Sequence, residues 1–97
     1  MIIRFAWDAG KEKENIKKHR VSFDEAKTIF FNFPLEIYFD PEHSGAEDRY
    51  LAFGFSNRDR ILLVVHMENI KGTEIRLISA RKATTKEAHQ VFGGMNP

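Results

Sequence analysis

Residues 60–68, Arg-Ile-Leu-Leu-Val-Val-His-Met-Glu, carry the clearest strand signal in the chain. Every odd-numbered position is apolar, at Ile61, Leu63, Val65 and Met67. The even-numbered positions are mixed, with Arg60, Leu62, Val64, His66 and Glu68. Successive side chains of a strand point to opposite faces, so this alternation predicts one core face and one open face. The open face would present Arg60 and His66 to solvent or to a ligand.

Further strands are predicted on both sides of this run, over residues 2–7, 35–39, 49–56 and 74–81. The short turn Asn57-Arg58-Asp59 joins residues 49–56 to the central run as a hairpin. In the last strand Arg76 alternates with Ile75 and Leu77, which places Arg76 on the open face beside Arg60. Parity puts Arg49 and Arg81 opposite Arg60, unless a bulge or a frayed strand end turns them.

Three helices are predicted, over residues 9–18, 23–31 and 84–92. Asp8 is the expected N-cap of the first, and the other two open on capping boxes, Ser22 with Glu25 and Thr84 with Glu87. The resulting order is β-α-α-β-β-β-β-α. It predicts one α+β domain over residues 1–97, with an antiparallel sheet packed against helices on one face.

Composition narrows the functional classes. The chain has no Cys and no apolar segment long enough for a membrane span or a signal peptide, so we expect a cytoplasmic protein without membrane contact. Residues 1–48 carry a formal charge of −3 and residues 49–97 a charge of +4. A basic half fits nucleic acid, and it fits an ordinary solvated surface equally well.

The residue types present could cleave RNA without a cofactor. The four His lack metal-ligand spacing, so no metal and no cofactor are expected. RNA cleavage without a metal needs a base for the 2′-hydroxyl proton, cations for the phosphorane and an acid for the leaving 5′-oxygen. Arg, His and Glu side chains can supply all three.

Ordered motifs along the chain add a specific resemblance. The first group comprises Trp7-Asp8, Lys11, Asn15, Lys18-His19, Val21, Ser22-Phe23 and Glu25-Ala26. The second comprises Glu47-Asp48-Arg49, Gly54, Ser56, Arg60, Leu62, Val64, Arg76, Ile78, Ser79-Ala80-Arg81-Lys82-Ala83 and Glu87. Together they resemble the BrnT toxins of bacterial toxin–antitoxin systems. Arg20 departs from the pattern, which has Gly there as a left-handed helix cap.

The resemblance implies a RelE-like fold and an endoribonuclease that arrests growth. It also implies neutralisation by a ribbon-helix-helix antitoxin, with a toxin homodimer in the complex. On this hypothesis the phosphate and transition-state ligands are Arg60, Arg81 and Arg49, and the proton carrier is Glu47 or His66. Arg76 and Lys82 would bind RNA. The alternatives are a non-catalytic module that binds RNA or antitoxin, and a plain α+β interaction domain.

Several motif residues also have simple structural interpretations. Trp7-Asp8 could be a packed strand end followed by an N-cap. Lys18-His19 could be cations that complement the carboxyl end of the first helix. Arg81 could pair with Glu87 and hold the last helix in place.

Overall fold

The computed structural model describes residues 3–93. Its strands are β1 (Arg4–Ala6), β2 (Leu35–Phe39), β3 (Asp48–Phe55), β4 (Ile61–Glu68) and β5 (Glu74–Lys82). Its α-helices are α1 (Ala9–His19), α2 (Phe23–Thr28) and α3 (Thr85–Phe92), and short 3-10 turns cover Ile29–Phe31 and Pro41–His43. The α+β class and the predicted element order are confirmed. Residue 2 of the predicted first strand and Gly94 of the predicted helix end lie outside the described residues.

The helix starts follow the predicted capping chemistry. The Asp8 side chain accepts from the Lys11 backbone N–H, and Thr84 with Glu87 forms a complete capping box. Ser22 caps α2, although Glu25 does not return the bond and turns elsewhere. Arg20 adopts the left-handed conformation, with φ 60° and ψ 32°. The left-handed cap at the end of α1 therefore forms with Arg in place of Gly, at a cost of about 1 kcal/mol.

The strands form one sheet in the order β1-β5-β4-β3-β2. Neighbours from β2 to β5 are antiparallel, whereas β1 pairs with β5 in parallel. The expectation of a wholly antiparallel sheet is wrong at this edge. A hairpin forces two strands to run antiparallel, but β1 is followed by α1 and α2, so no hairpin fixes its direction.

The main core lies on the face of β4 that the alternation assigned to solvent. Leu62 and Val64 are fully buried there against α2 and the segment that leads into it, and His66 is fully buried against Phe30. We call this the inner face. Arg60 also lies on this side, bonded to Glu25 of α2. The prediction that Arg60 and His66 sit on an open face is therefore wrong.

The opposite face of β4, the outer face, is covered at one end by α3. Phe92 of α3 packs with Phe53 and Leu63, and Ile61 joins this smaller cluster. The expectation that all helices share one face is therefore wrong for α3, which lies opposite α2. Because helices cover both sides of this central strand, apolar residues occur at both parities. Alternation alone therefore could not identify the principal core.

A bulge in β5 decides where Arg76 points. Val65 pairs with Ser79, but His66 pairs with Leu77, so Ile78 is the extra residue. Arg76 consequently lies opposite Met67, on the outer face. Regular pairing continued from Ser79 would have placed Arg76 opposite Glu68, on the inner face with His66.

Candidate functional site

Arg60 is part of a structural network on the inner face. Its Nε donates to Glu25 Oε2 at 2.9 Å, and its guanidinium also donates to the Arg20 carbonyl at 3.1 Å. Glu25 accepts a second bond from Ser56 Oγ at 2.7 Å. The Arg60 hydrogen bond is the main cause that holds the pKa of Glu25 below its ordinary value. Arg60 therefore ties α2 and the end of α1 to the start of β4.

His66 is sealed inside the protein. Its relative exposure is 0%, and its ring packs edge-on to Phe30 and stacks on Tyr50. Nε2 lies 2.9 Å from a Glu68 carboxylate oxygen. Burial lowers the pKa of His66, and the nearby Glu68 offsets this only in part. Because the imidazole has no exposed surface, it has no direct access to a substrate.

Arg81 and Lys82 lie near α3. Both terminal nitrogens of Arg81 donate to Glu87, each at 2.8 Å. Lys82 is exposed and lines a cavity of about 580 Å³ between β5 and α3, together with His89 and Phe92. Arg81 and Lys82 are therefore far from Arg76. Arg76 lies at the other end of the outer face, about 16 Å from Arg81 along the extended strand.

Three predicted residues come together at that far end, and we call them the outer-face cluster: Glu47, Arg49 and Arg76. A guanidinium nitrogen of Arg76 donates to Glu47, and the two side chains are 44% and 43% exposed. Arg49 and Arg76 pair with Met67 from either side, which puts their Cα atoms about 10 Å apart across two strand spacings. A carboxylate and two guanidiniums therefore share one accessible surface.

The loop from β2 to β3 adds an imidazole to this end of the sheet. His43 Nδ1 lies 2.9 Å from Asp40 Oδ2, and the same oxygen is 3.9 Å from Arg49 Nε. The His43 side chain is 57% exposed, and its Nε2 makes no hydrogen bond to any described residue. Asp40 can thus orient one ring nitrogen while the other faces a ligand.

Ser44 holds this loop in shape. Its hydroxyl donates to the Asp40 carbonyl at 2.8 Å and accepts from the Arg49 backbone N–H at 2.9 Å. The Asp40 backbone N–H also donates to the Arg49 carbonyl, at 2.8 Å. These bonds fold the loop back onto β3, which positions His43 and Glu47 next to Arg49.

His43 is the residue that the sequence analysis missed. A usable signal was present, because Asp40 and His43 are three residues apart in a loop that begins where β2 ends and leads into Glu47 and Arg49. No cluster of three or more His, Asp or Glu side chains that could hold a metal ion lies within residues 3–93. Over the same residues, no helix is long and apolar enough to cross a membrane.

The fold is a small α+β domain that carries carboxylate, guanidinium and imidazole side chains on an exposed sheet face. A sequence model described as the ribonuclease toxin BrnT of a type II toxin–antitoxin system matches residues 7–87. The chain therefore belongs to the BrnT family of ribonuclease toxins. The resemblance drawn from its motifs is confirmed, and with it the endoribonuclease activity, RNA as the target and an antitoxin as a partner.

The fold is also similar to that of a solved family member. The crystal structure of the Brucella abortus ribonuclease toxin BrnT matches with a TM-score of 0.61 and 25% sequence identity. The match covers 86% of this chain and 99% of the Brucella chain. No curated protein sequence matches this chain.

Proposed function

We propose that this toxin cleaves RNA at the outer-face cluster without a metal ion. The observation that carries the proposal is the exposed Glu47–Arg76 pair on the same sheet face as Arg49. The cluster contains a carboxylate for the base and two planar cations suited to a phosphate. With His43 beside Arg49, an acid is present as well.

In this mechanism the Glu47 carboxylate takes the proton from a ribose 2′-hydroxyl. The 2′-oxygen then attacks the adjacent phosphorus, and Arg49 and Arg76 stabilise the doubly charged phosphorane. Protonated His43 donates from Nε2 to the leaving 5′-oxygen as the phosphorus–O5′ bond breaks. The products are a 2′,3′-cyclic phosphate and a 5′-hydroxyl, so protons and bonds balance without a further reactant.

The remaining predicted site residues receive other roles. Arg60 and His66 lie on the inner face, so we assign them to the packing of α2 and β4. Arg81 is hydrogen-bonded to Glu87 through both terminal nitrogens, so we assign it to the positioning of α3. Lys82 stays a proposed RNA contact, outside the reacting centre.

The test is cleavage of a single-stranded RNA in excess EDTA. We expect 2′,3′-cyclic phosphate ends, and no cleavage of the same oligonucleotide made with 2′-deoxyribose. Activity that appears only after a divalent ion is added would contradict metal independence. A protein that binds the RNA and never cleaves it, with or without added ions, would instead favour the non-catalytic binding module.

We further propose a ribbon-helix-helix antitoxin that covers the outer-face cluster, and a toxin homodimer within the complex. The motif resemblance supports both. Attraction between the antitoxin and the arginines would weaken as salt screens it. Co-expression with an adjacent ribbon-helix-helix reading frame, followed by light scattering of the purified complex, tests the partner and the stoichiometry. A complex with a single toxin chain would contradict the dimer.

A further inference from the structure

Most residues of the N-terminal motif have structural roles. The Trp7 ring packs edge-on to Phe23, with ring centroids 6.1 Å apart, and Asp8 caps α1. Val21 is fully buried. Asn15 is buried too, and its amide donates to the carbonyls of Val21 and Ala80, both at 2.8 Å. These contacts leave three basic residues of the motif on α1 without a structural role, which are Lys11, Lys18 and His19.

These three basic residues line one groove between α1 and β5. The groove has a volume of about 550 Å³, and its walls also include Ser79 and the carboxylates Asp8 and Glu14, of which Asp8 is engaged in capping α1. Asn15 also lines the groove, and its side chain both donates to the Ala80 carbonyl and accepts from the Ala80 N–H at 3.0 Å. β1 pairs only with residues 74–76 of β5 and does not reach Ala80. The Asn15 amide therefore makes the two backbone hydrogen bonds there that a neighbouring strand would otherwise make.

The charges in the groove are available to a ligand. Neither Lys11 nor Lys18 nor His19 forms an ion pair or a side-chain hydrogen bond with another residue in the 3–93 range. Lys11 and Lys18 are exposed and His19 is half-buried. Arg49 and Arg76 differ, because each already lies beside a carboxylate.

The groove connects to the outer-face cluster. Ser79 pairs with Val65 and so lies on the outer face, three residues along β5 from Arg76. That separation is about 10 Å of extended strand. A single strand of RNA with one phosphate at Arg76 can therefore pass over Ser79 and reach α1.

We propose that the groove between α1 and β5 binds a backbone phosphate of the RNA through Lys11, Lys18 and His19. This proposal rests on RNA as the ligand of the outer-face cluster and adds a second anchoring point to it. Lysine ammonium groups contact phosphates as point charges and read no sequence, so the groove contributes affinity and orientation.

The experiment measures binding without cleavage. The probe is a fluorescent single-stranded oligonucleotide with every 2′-hydroxyl methylated, titrated by anisotropy across a series of NaCl concentrations. The test variant is Lys11→Ala/Lys18→Ala. The control is Lys13→Ala/Lys17→Ala, which removes the same charge from exposed lysines of the same helix that do not line the groove.

We expect the test variant to bind about five- to tenfold more weakly at low salt. The slope of log affinity against log salt should fall by about 0.7, as expected for the loss of one phosphate contact on a single strand. The control should lose much less. Because no cleavage is involved, this result is independent of whether the outer-face cluster is catalytic.

Equal losses in the two double variants would overturn the proposal, because they would reflect net charge alone. Unchanged RNA affinity in the test variant would overturn it as well. If that variant instead lost binding to a poly-glutamate peptide while it kept RNA binding, the groove would be a docking site for an acidic protein segment. Circular dichroism of each variant confirms that the fold is intact.

Discussion

Arg81 at the end of β5 and Glu87 in the first turn of α3 hold each other through two hydrogen bonds of 2.8 Å. The same Glu87 accepts from the Thr84 backbone N–H at 2.9 Å, so it joins the strand end to the helix cap. The guanidinium thus acts as a clamp on α3. Both terminal nitrogens that a phosphate would need already donate to the Glu87 carboxylate.

Replacement of Arg81 by Ala tests the clamp against a catalytic role. We expect a loss of about 1 kcal/mol in the free energy of unfolding, because the pair is partly exposed and solvent screens it. Cleavage per folded molecule should stay near the wild-type rate. A drop of about 10²–10³ in rate with an unchanged melting temperature would instead return Arg81 to the reacting centre.

The same pair predicts an acid dependence of stability. Hydrogen bonds from Arg81 are the largest cause that lowers the pKa of Glu87 from 4.5 to about 2. A carboxyl whose folded pKa is depressed stabilises the protein above its unfolded pKa and loses this contribution as pH falls through the folded value. Between pH 4.5 and 2, the free energy of unfolding of Glu87→Gln, measured by denaturant titration, should therefore fall less steeply with decreasing pH than that of the wild type. Parallel curves would contradict the pair.

The burial of His66 leads us to expect a second loss of stability in acid, at a higher pH than that caused by Glu87. Burial lowers its pKa below 6.5, so the folded state holds a neutral ring and the unfolded chain takes up a proton first. Stability is then complete above pH 6.5 and falls below it, by at most about 1.4 kcal/mol per pH unit. An NMR titration should show a His66 pKa below the ordinary imidazole value of 6.5. A pKa above 6.5 would contradict the buried neutral ring.

Asn15 predicts a large loss of stability from one polar residue. Replacement by Ala removes its bonds to Val21 and Ala80 and leaves buried backbone groups unsatisfied. We expect the free energy of unfolding to fall by about 2–4 kcal/mol. The exposed neighbour Lys13→Ala is the matched control, with a change within about 0.5 kcal/mol. Equal effects of the two substitutions would mean that Asn15 does not hold α1 on β5.

A change of the leaving group in the substrate tests whether His43 is the acid. His43→Gln should slow cleavage of RNA by about 10²–10⁴, because the departing 5′-oxygen is no longer protonated. A substrate with a nitrophenol leaving group needs no acid, so it should react at nearly the wild-type rate. The control is His89→Gln on α3. Equal slowing of both substrates by His43→Gln would exclude the acid role.

Local signals predicted the elements well, because caps and alternation act between near neighbours. Asp8 and Thr84 begin helices as expected, and β2 spans residues 35–39 as predicted. The choice of core face failed at β4, since that choice depends on where α2 and α3 dock. Glu25 shows the same limit, because its bond to Arg60 joins residues that are 35 positions apart.

The site was predictable only in part, for a comparable reason. Glu47, Arg49 and Arg76 were identified from motifs, yet the bulge at Ile78 places Arg76 on the face of Arg49. A single extra residue reverses every side chain beyond it, and periodicity gives no sign of it. His43 was missed because its partner Asp40 lies in a loop, where no regular spacing marks a pair.

The central claim is that Glu47, paired with Arg76 on the outer face, takes the 2′-hydroxyl proton. The most direct measurement is the single-turnover cleavage rate of one single-stranded RNA in excess EDTA, for wild type and Glu47→Gln. If Glu47 is the base, the variant folds and binds RNA but cleaves it about 10²–10⁴ times more slowly. Glu36→Gln, on the exposed edge strand β2, should keep the wild-type rate. Wild-type cleavage by a folded Glu47→Gln protein would contradict the account.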